Sequence, residues 1–105
     1  MNPASESETR NLPDTDMASQ ELLEPLVRVV IHNDDVTPMD FVVTVLERIF
    51  QLGQPEAVEV MITAHVTGQA HVQTLPRAEA QKRVGRAHFA AGMEGYPLHF
   101  SIQSD

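Results

Sequence analysis

The sequence predicts a two-layer α/β (α+β) sandwich, in which a three-stranded antiparallel sheet packs against three helices in the order β-α-α-β-α-β. A β-branched run at residues 26–32 and an alternating apolar run at residues 97–102 are typical of strands. Between them lie three segments with apolar residues at helical spacing, and these open at Pro38, Pro55 and Pro76. Together these signals favour helices on one face of a small sheet.

The first strand, residues 26–32, leads through a turn into the first helix. Residues 33–35 read Asn-Asp-Asp, and these side chains bond to nearby backbone groups in turns. Thr37 is predicted to be the N-cap, and Asp40 occupies the position of a capping-box acid. The helix is predicted to end near Phe50. Its inward stripe is wide and consists of Phe41, Val42, Val45, Leu46, Ile49 and Phe50.

The second helix is predicted to run from Pro55 to a C-cap at Gly68. A short strand at residues 71–75 follows it. Four residues on one face of this helix have three- and four-residue spacing: Val58, Met61, Ile62 and His65.

The third helix is predicted to start at Pro76 and to be broken by Gly92 and Gly95. Its inward-facing residues are predicted to be Ala80, Val84, Ala87 and Ala91. The last strand, residues 97–102, is predicted to place on one side Leu98, Phe100 and Ile102.

The charge is unevenly distributed along the chain. The 105 residues carry a formal net charge of −8, and residues 1–26 hold six acids and one base. We therefore predict a flexible acidic tail at residues 1–25 and one folded domain at residues 26–105. A nucleic-acid partner is not expected, because binding to phosphates needs a basic face. The lack of cysteine and of long apolar runs predicts a cytoplasmic protein without a membrane segment.

Several polar and apolar residues suggest a binding site for an amine. Asn33, Asp34 and His65 offer acceptors for an ammonium group, which carries three donors. Apolar walls are available from Met39, Val42, Met61 and Ala64. This combination is suited to a free amino terminus with a bulky first side chain, although the residues alone do not require that function.

Other interpretations of the same residues stay open at this point. The Asn-Asp-Asp segment is a common turn, and Thr-Pro-x-Asp is a common helix cap. A lone histidine such as His65 is frequently a core residue. Asp34, Asp35 and His65 also have the types needed for an acid/base hydrolase. We predict no metal site and no cofactor, because His65 and His71 are separated by a helix end and no ligand set of useful spacing exists.

The segment Val-Val-Ile-His-Asn-Asp-Asp-Val-Thr-Pro-Met-Asp-Phe-Val at residues 29–42 strongly resembles the ClpS family, adaptors of the bacterial Clp protease. Residues 57–68, with Met61 and His65, resemble the second helix of that family, and residues 96–98 resemble the start of its last strand. The resemblance implies a non-enzymatic adaptor. Such a protein binds N-degron substrates, which begin with Phe, Tyr, Trp or Leu, and delivers them to a Clp AAA+ unfoldase.

The resemblance also implies a role for individual residues. Asn33, Asp34 and His65 match positions that hold the substrate's α-amino group. The pocket for the first side chain is implied to comprise Asp35, Thr37, Met39, Val42, Met61, Ala64 and Leu98. Met39 matches a gate that disfavours β-branched first residues. Ala64 stands where the family commonly has valine, which suggests either a wider pocket or a shifted preference among Leu and the aromatic first residues.

The implied partner is the amino-terminal domain of ClpA or a related unfoldase. Glu79 and Arg83 on the third helix are the candidate docking residues, and Ala78 departs from a commonly acidic position. The resemblance further implies a monomer whose tail is engaged by the unfoldase. The main rival is a ribosomal-stalk-like module, a domain of the same architecture that binds a partner protein without reading amino termini.

Overall fold

The computed structural model describes residues 24–105, so nearly all of the predicted tail lies outside the described residues, and its boundary stays a prediction. The predicted fold class and element order are confirmed. In chain order the elements are β1 (Leu26–His32), α1 (Met39–Arg48), α2 (Gln54–Thr67), β2 (Gln69–Pro76), α3 (Arg77–Met93) and β3 (His99–Ser104).

The sheet has the order β2-β1-β3, and both neighbours run antiparallel to β1. The central position of β1 explains its β-branched composition, since Val27, Val29, Val30 and Ile31 are all buried. An irregularity between Val29 and Val30 interrupts the pairing with β2. Beyond its last residue, His32, the chain leaves the sheet between β2 and β3 and enters the turn that precedes α1.

The core lies between this sheet and the helices. Phe50 and Phe100 are fully buried, with ring centroids 4.9 Å apart. The predicted inward face of α3 is confirmed, because its buried residues are Ala80, Val84, Ala87 and Ala91. Alanine at most of these positions lets the helix backbone approach the sheet closely.

The start of α1 differs from the prediction. Pro38, not Thr37, is the N-cap residue, and no side chain caps the helix. The Thr37 hydroxyl instead donates to Asp34 Oδ2 at 2.9 Å. The Asp40 carboxylate accepts the amide of its neighbour Phe41, so the predicted capping box is wrong. The Thr37 side chain is therefore engaged within the turn that precedes the helix.

The buried face of α2 is rotated relative to the predicted row. Ala57 and Ala64 are buried, whereas Ile62 is about half exposed. One residue corresponds to about 100° around a helix, so a row shifted by one position faces a different side. The strands differ by a few residues: β2 is longer than predicted, and β3 begins and ends two residues later.

Candidate functional site

A cavity of about 170 Å³ lies between α1 and α2, next to the end of β1. All ten residues predicted for the amine site and the pocket line it. The full lining comprises Ile31, His32, Asn33, Asp34, Asp35, Thr37, Met39, Val42, Met61, Ala64, His65 and Leu98. The structure therefore brings together residues from two helices, a turn and the segment before β3, and their roles in binding stay a prediction.

The Asp34 carboxylate organises the turn at the rim of the cavity. Its Oδ1 accepts the amides of Val36 at 2.8 Å and Thr37 at 2.7 Å. Partial burial raises the pKa of Asp34, but the hydrogen bonds from Thr37 and Val36 outweigh it and hold the pKa below its ordinary value. Asp34 is therefore negatively charged at neutral pH. Each carboxylate oxygen has two acceptor positions, so Oδ2 can still accept from a ligand.

The end of α2 holds the same rim from the other side. Gly68 adopts a left-handed conformation with φ 99° and donates its amide to the Ala64 carbonyl at 2.9 Å. The Gly68 carbonyl accepts the Asn33 amide at 3.0 Å. This bond ties the turn to the helix end that carries Ala64 and His65, so Asn33, Asp34 and His65 meet around one opening.

His65 is exposed at the rim of the cavity. The interpretation of His65 as a core histidine is therefore wrong. An exposed imidazole beside a carboxylate and a carboxamide is available to a ligand. Together the three side chains can saturate the donors of an ammonium group.

The inner part of the cavity is apolar. Val42, Ala64 and Leu98 are at most 8% exposed and form its floor. Met39 is 48% exposed and stands at the opening, and Met61 is partly buried against the core. The floor is thus rigid core, whereas Met39 is an unbranched side chain with space to move.

Ile31 and His32 line the cavity but were not among the predicted site residues. The His32 ring hydrogen-bonds Ser101 Oγ at 2.7 Å and lies 5.3 Å from the His99 ring. Their position in the sequence could have indicated that both residues line the cavity. They are the last two residues of β1, which leads directly into Asn33 and Asp34.

The predicted docking residues lie on α3, which contributes nothing to the cavity lining. Arg83 Nε donates to Glu79 Oε2 at 2.7 Å, and this hydrogen bond lowers the pKa of Glu79. Arg83 Nη1 also donates to Gln73 Oε1 at 3.0 Å and to the Phe50 carbonyl at 3.3 Å. The guanidinium therefore joins α3 to β2 and to the segment after α1. The role of Glu79 and Arg83 in docking the unfoldase stays a prediction. Arg83 also has a role within the fold, because it holds these three segments together.

Within residues 24–105, no three His, Asp or Glu side chains are grouped so that they could hold a metal ion. None of the helices there has the length and apolar character needed to cross a membrane.

Residues 23–101 match the family model described as ATP-dependent Clp protease adaptor protein ClpS. A ClpS 2 adapter protein of Mesorhizobium japonicum is 38% identical over 93 residues, which cover 89% of this chain and 92% of the relative. A ClpS adapter protein of a Ruegeria species is 36% identical over 104 residues, 99% of this chain and 90% of the relative.

A solved structure, that of Agrobacterium tumefaciens ClpS2 bound to L-phenylalaninamide, has a TM-score of 0.74 and 33% identity. It covers 77% of this chain and 98% of the solved chain. The two proteins therefore share one fold over nearly the whole length of the solved chain.

Proposed function

The chain belongs to the ClpS family of adaptors of the ATP-dependent Clp protease and is not an enzyme, and we propose that it binds N-degron substrates by their first residue. The α-ammonium group would lie among Asn33, Asp34 and His65, with a bulky apolar first side chain in the cavity. The observation that carries this proposal is the convergence of these residues on one opening.

The charge at the rim supports the amine half of the proposal. Asp34 is ionised at neutral pH and has acceptor capacity left after its bonds to the turn. A hydrogen bond to a charged group is worth about 1.5–3 kcal/mol. Acetylation of the substrate removes both the charge and two of the three donors, so a site of this kind distinguishes free from blocked amino termini.

The size of the cavity supports the side-chain half. A cavity of roughly 150 Å³ in a protein core can hold benzene, and this one has about 170 Å³. Burying a phenylalanine side chain there contributes about 1.5–3 kcal/mol. The ligand of the related Agrobacterium protein, L-phenylalaninamide, combines a free amino group with a benzyl side chain. It therefore has the chemistry that this cavity fits.

Delivery to a Clp AAA+ unfoldase is the second part of the proposal and follows from family membership. We propose that the chain acts as a monomer, since one chain supplies the whole cavity lining. We also propose a cytoplasmic location, because an ATP-dependent protease requires ATP. The unfoldase is proposed to be ClpA or a relative, with Glu79 and Arg83 as candidate contacts.

The test is a titration of the full chain with fluorescent peptides that differ only at the amino terminus. Peptides beginning with Phe or Leu are expected to bind with micromolar or tighter Kd. Acetylation of the Phe peptide should weaken binding at least 50-fold, which corresponds to about 2.3 kcal/mol. A Val peptide should bind weakly because of Met39. Equal binding of the free and acetylated peptides would overturn the proposal and favour a module that does not read amino termini.

A further inference from the structure

Three exposed apolar side chains belong to residues that directly neighbour cavity-lining residues along the chain. They form what we call the mouth patch, and their exposed fractions are 64% for Val36, 51% for Ile62 and 73% for Val66. None of the three lines the cavity. Exposed apolar groups beside a binding site commonly extend its contact surface.

Local geometry fixes Val36 beside the amine site. Its amide donates to Asp34 Oδ1 at 2.8 Å, within the turn that also engages Thr37. The carboxylate that would hold the substrate's ammonium group therefore also holds the backbone that carries this exposed valine. Val36 is consequently part of the turn that leads from β1 into α1.

Ile62 and Val66 occupy the α2 side. They follow Met61 and His65 by one residue each, and those two line the cavity. Residues four apart on a helix lie on one row, and the next row is turned by about 100°. Ile62 and Val66 thus form an apolar row that runs along the outer edge of the cavity wall.

We propose that the mouth patch binds the third residue of the substrate and favours an apolar side chain at that position. This inference rests on the proposed function. With the ammonium group at the rim and the first side chain in the cavity, the substrate backbone has to leave across the opening.

The alternation of side chains in an extended segment selects the third residue. Successive side chains point to opposite sides, so the first and third face the protein while the second faces solvent. The third Cα lies about 7 Å from the first. This spacing carries the third side chain beyond the cavity wall, where Val36 lies on one side and Ile62 and Val66 on the other.

The experiment compares four peptides that share Phe at position one: Phe-Ser-Ser, Phe-Ser-Leu, Phe-Leu-Ser and Phe-Leu-Leu, each followed by the same polar sequence. Leucine at position three is expected to tighten binding about three- to tenfold, because roughly half of its side chain becomes buried. Leucine at position two is expected to change the Kd less than twofold.

Two variants locate the contact, Val36→Ser and the double variant Ile62→Ser/Val66→Ser. At least one of them should remove the preference at position three while leaving the Kd for Phe-Ser-Ser within twofold of the wild type. The matched control is Phe89→Ser/Met93→Ser, which removes two side chains exposed by 72% and 71% on α3. It should keep the full preference, since α3 does not line the cavity.

Each result decides between the two proposals. Normal binding of Phe-Ser-Ser without a preference at position three overturns this inference and leaves the proposed function intact. A preference at position two, or one that survives both mouth-patch variants, also overturns it. Failure of Phe-Ser-Ser to bind removes the proposed function and, with it, this inference.

Discussion

Two charged residues of this protein are held in different ways. The Asp34 carboxylate is held by the amides of Val36 and Thr37, which are two and three residues away. The Arg83 guanidinium joins Glu79 on its own helix to Gln73 on β2 and to the Phe50 carbonyl. A charge held by its own turn keeps acceptor positions for a ligand, whereas a charge that connects three segments serves the fold.

The largest expected effect is that of Asp34→Asn on peptide binding. The asparagine Oδ1 can still accept both turn amides, so the loop is expected to keep its shape. The charge facing the substrate's ammonium group is lost, and the affinity for a Phe peptide should fall about 10- to 100-fold. Fluorescence anisotropy at pH 7 measures the affinity, and urea unfolding checks the fold.

A change of less than twofold in Kd, with the unfolding curve unchanged, would show that Asp34 serves the turn alone. The comparison with Arg83 would then fail, since both charges would be structural.

The second prediction concerns Arg83→Ala. Its removal takes the guanidinium donor from Gln73 Oε1 and leaves the Phe50 carbonyl with Gln73 Nε2 as its remaining donor, so the free energy of unfolding should fall by about 1–3 kcal/mol. Peptide affinity should change less than twofold, because Arg83 does not line the cavity. Urea unfolding followed by circular dichroism provides the measurement.

The matched control is Arg86→Ala, which removes an exposed base three residues along the same helix and should cost less than about 0.5 kcal/mol. If Arg83→Ala leaves stability unchanged but prevents delivery to the unfoldase, the docking interpretation is correct and the internal role is minor.

The smallest expected effect is that of His88 on the pH dependence of stability. Asp34 and Arg83 are charged groups, whereas the surroundings of His88 favour its neutral form. His88 Nε2 accepts the Phe100 amide at 3.0 Å, and its ring stacks on His99 with centroids 5.4 Å apart. Burial and the proximity of His99 lower the pKa of His88. The unfolded chain therefore binds a proton at a higher pH than the folded chain does.

The stability from His88 is accordingly complete above its ordinary pKa of about 6.5 and is lost as the pH falls through the lower folded value. His88→Gln keeps an acceptor for the Phe100 amide without titrating. Urea unfolding between pH 7.5 and 5.5 should show a smaller loss of stability for the variant than for the wild type. Parallel curves would contradict the role assigned to His88.

Much of the fold was predictable because its signals are local. Proline at helix starts, glycine after α2 and the β-branched run of β1 depend on backbone preferences over a few residues. The rotation of α2 was not predictable, since several rows of that helix are apolar and the sequence does not rank Ala57 and Ala64 above Ile62. The neighbouring elements select the buried row through packing.

The candidate site was predicted from a dense motif at residues 33–42 together with the resemblance of residues 57–68 and 96–98 to the family. The misassigned cap shows the limit of this approach. Thr37 has the residue type of a helix cap, yet its hydroxyl is bound by Asp34. The type of a residue determines which hydrogen bonds its side chain can make. The positions of the neighbouring donors and acceptors in the folded chain determine which of those bonds forms.

The sequence by itself determined the order of helices and strands, the turn centred on Asp34 and the set of residues that resemble an amine and side-chain site. The tertiary structure alone decided that β1 is central, that Asn33 is tied to the end of α2, and that Arg83 is engaged within the fold. The physical reason is distance along the chain. Local preferences act over a few residues. The bonds of Asn33 and Arg83 join residues 10 to 35 positions apart, the pairings of β1 join residues 37 to 77 positions apart, and all of them form only when the core packs.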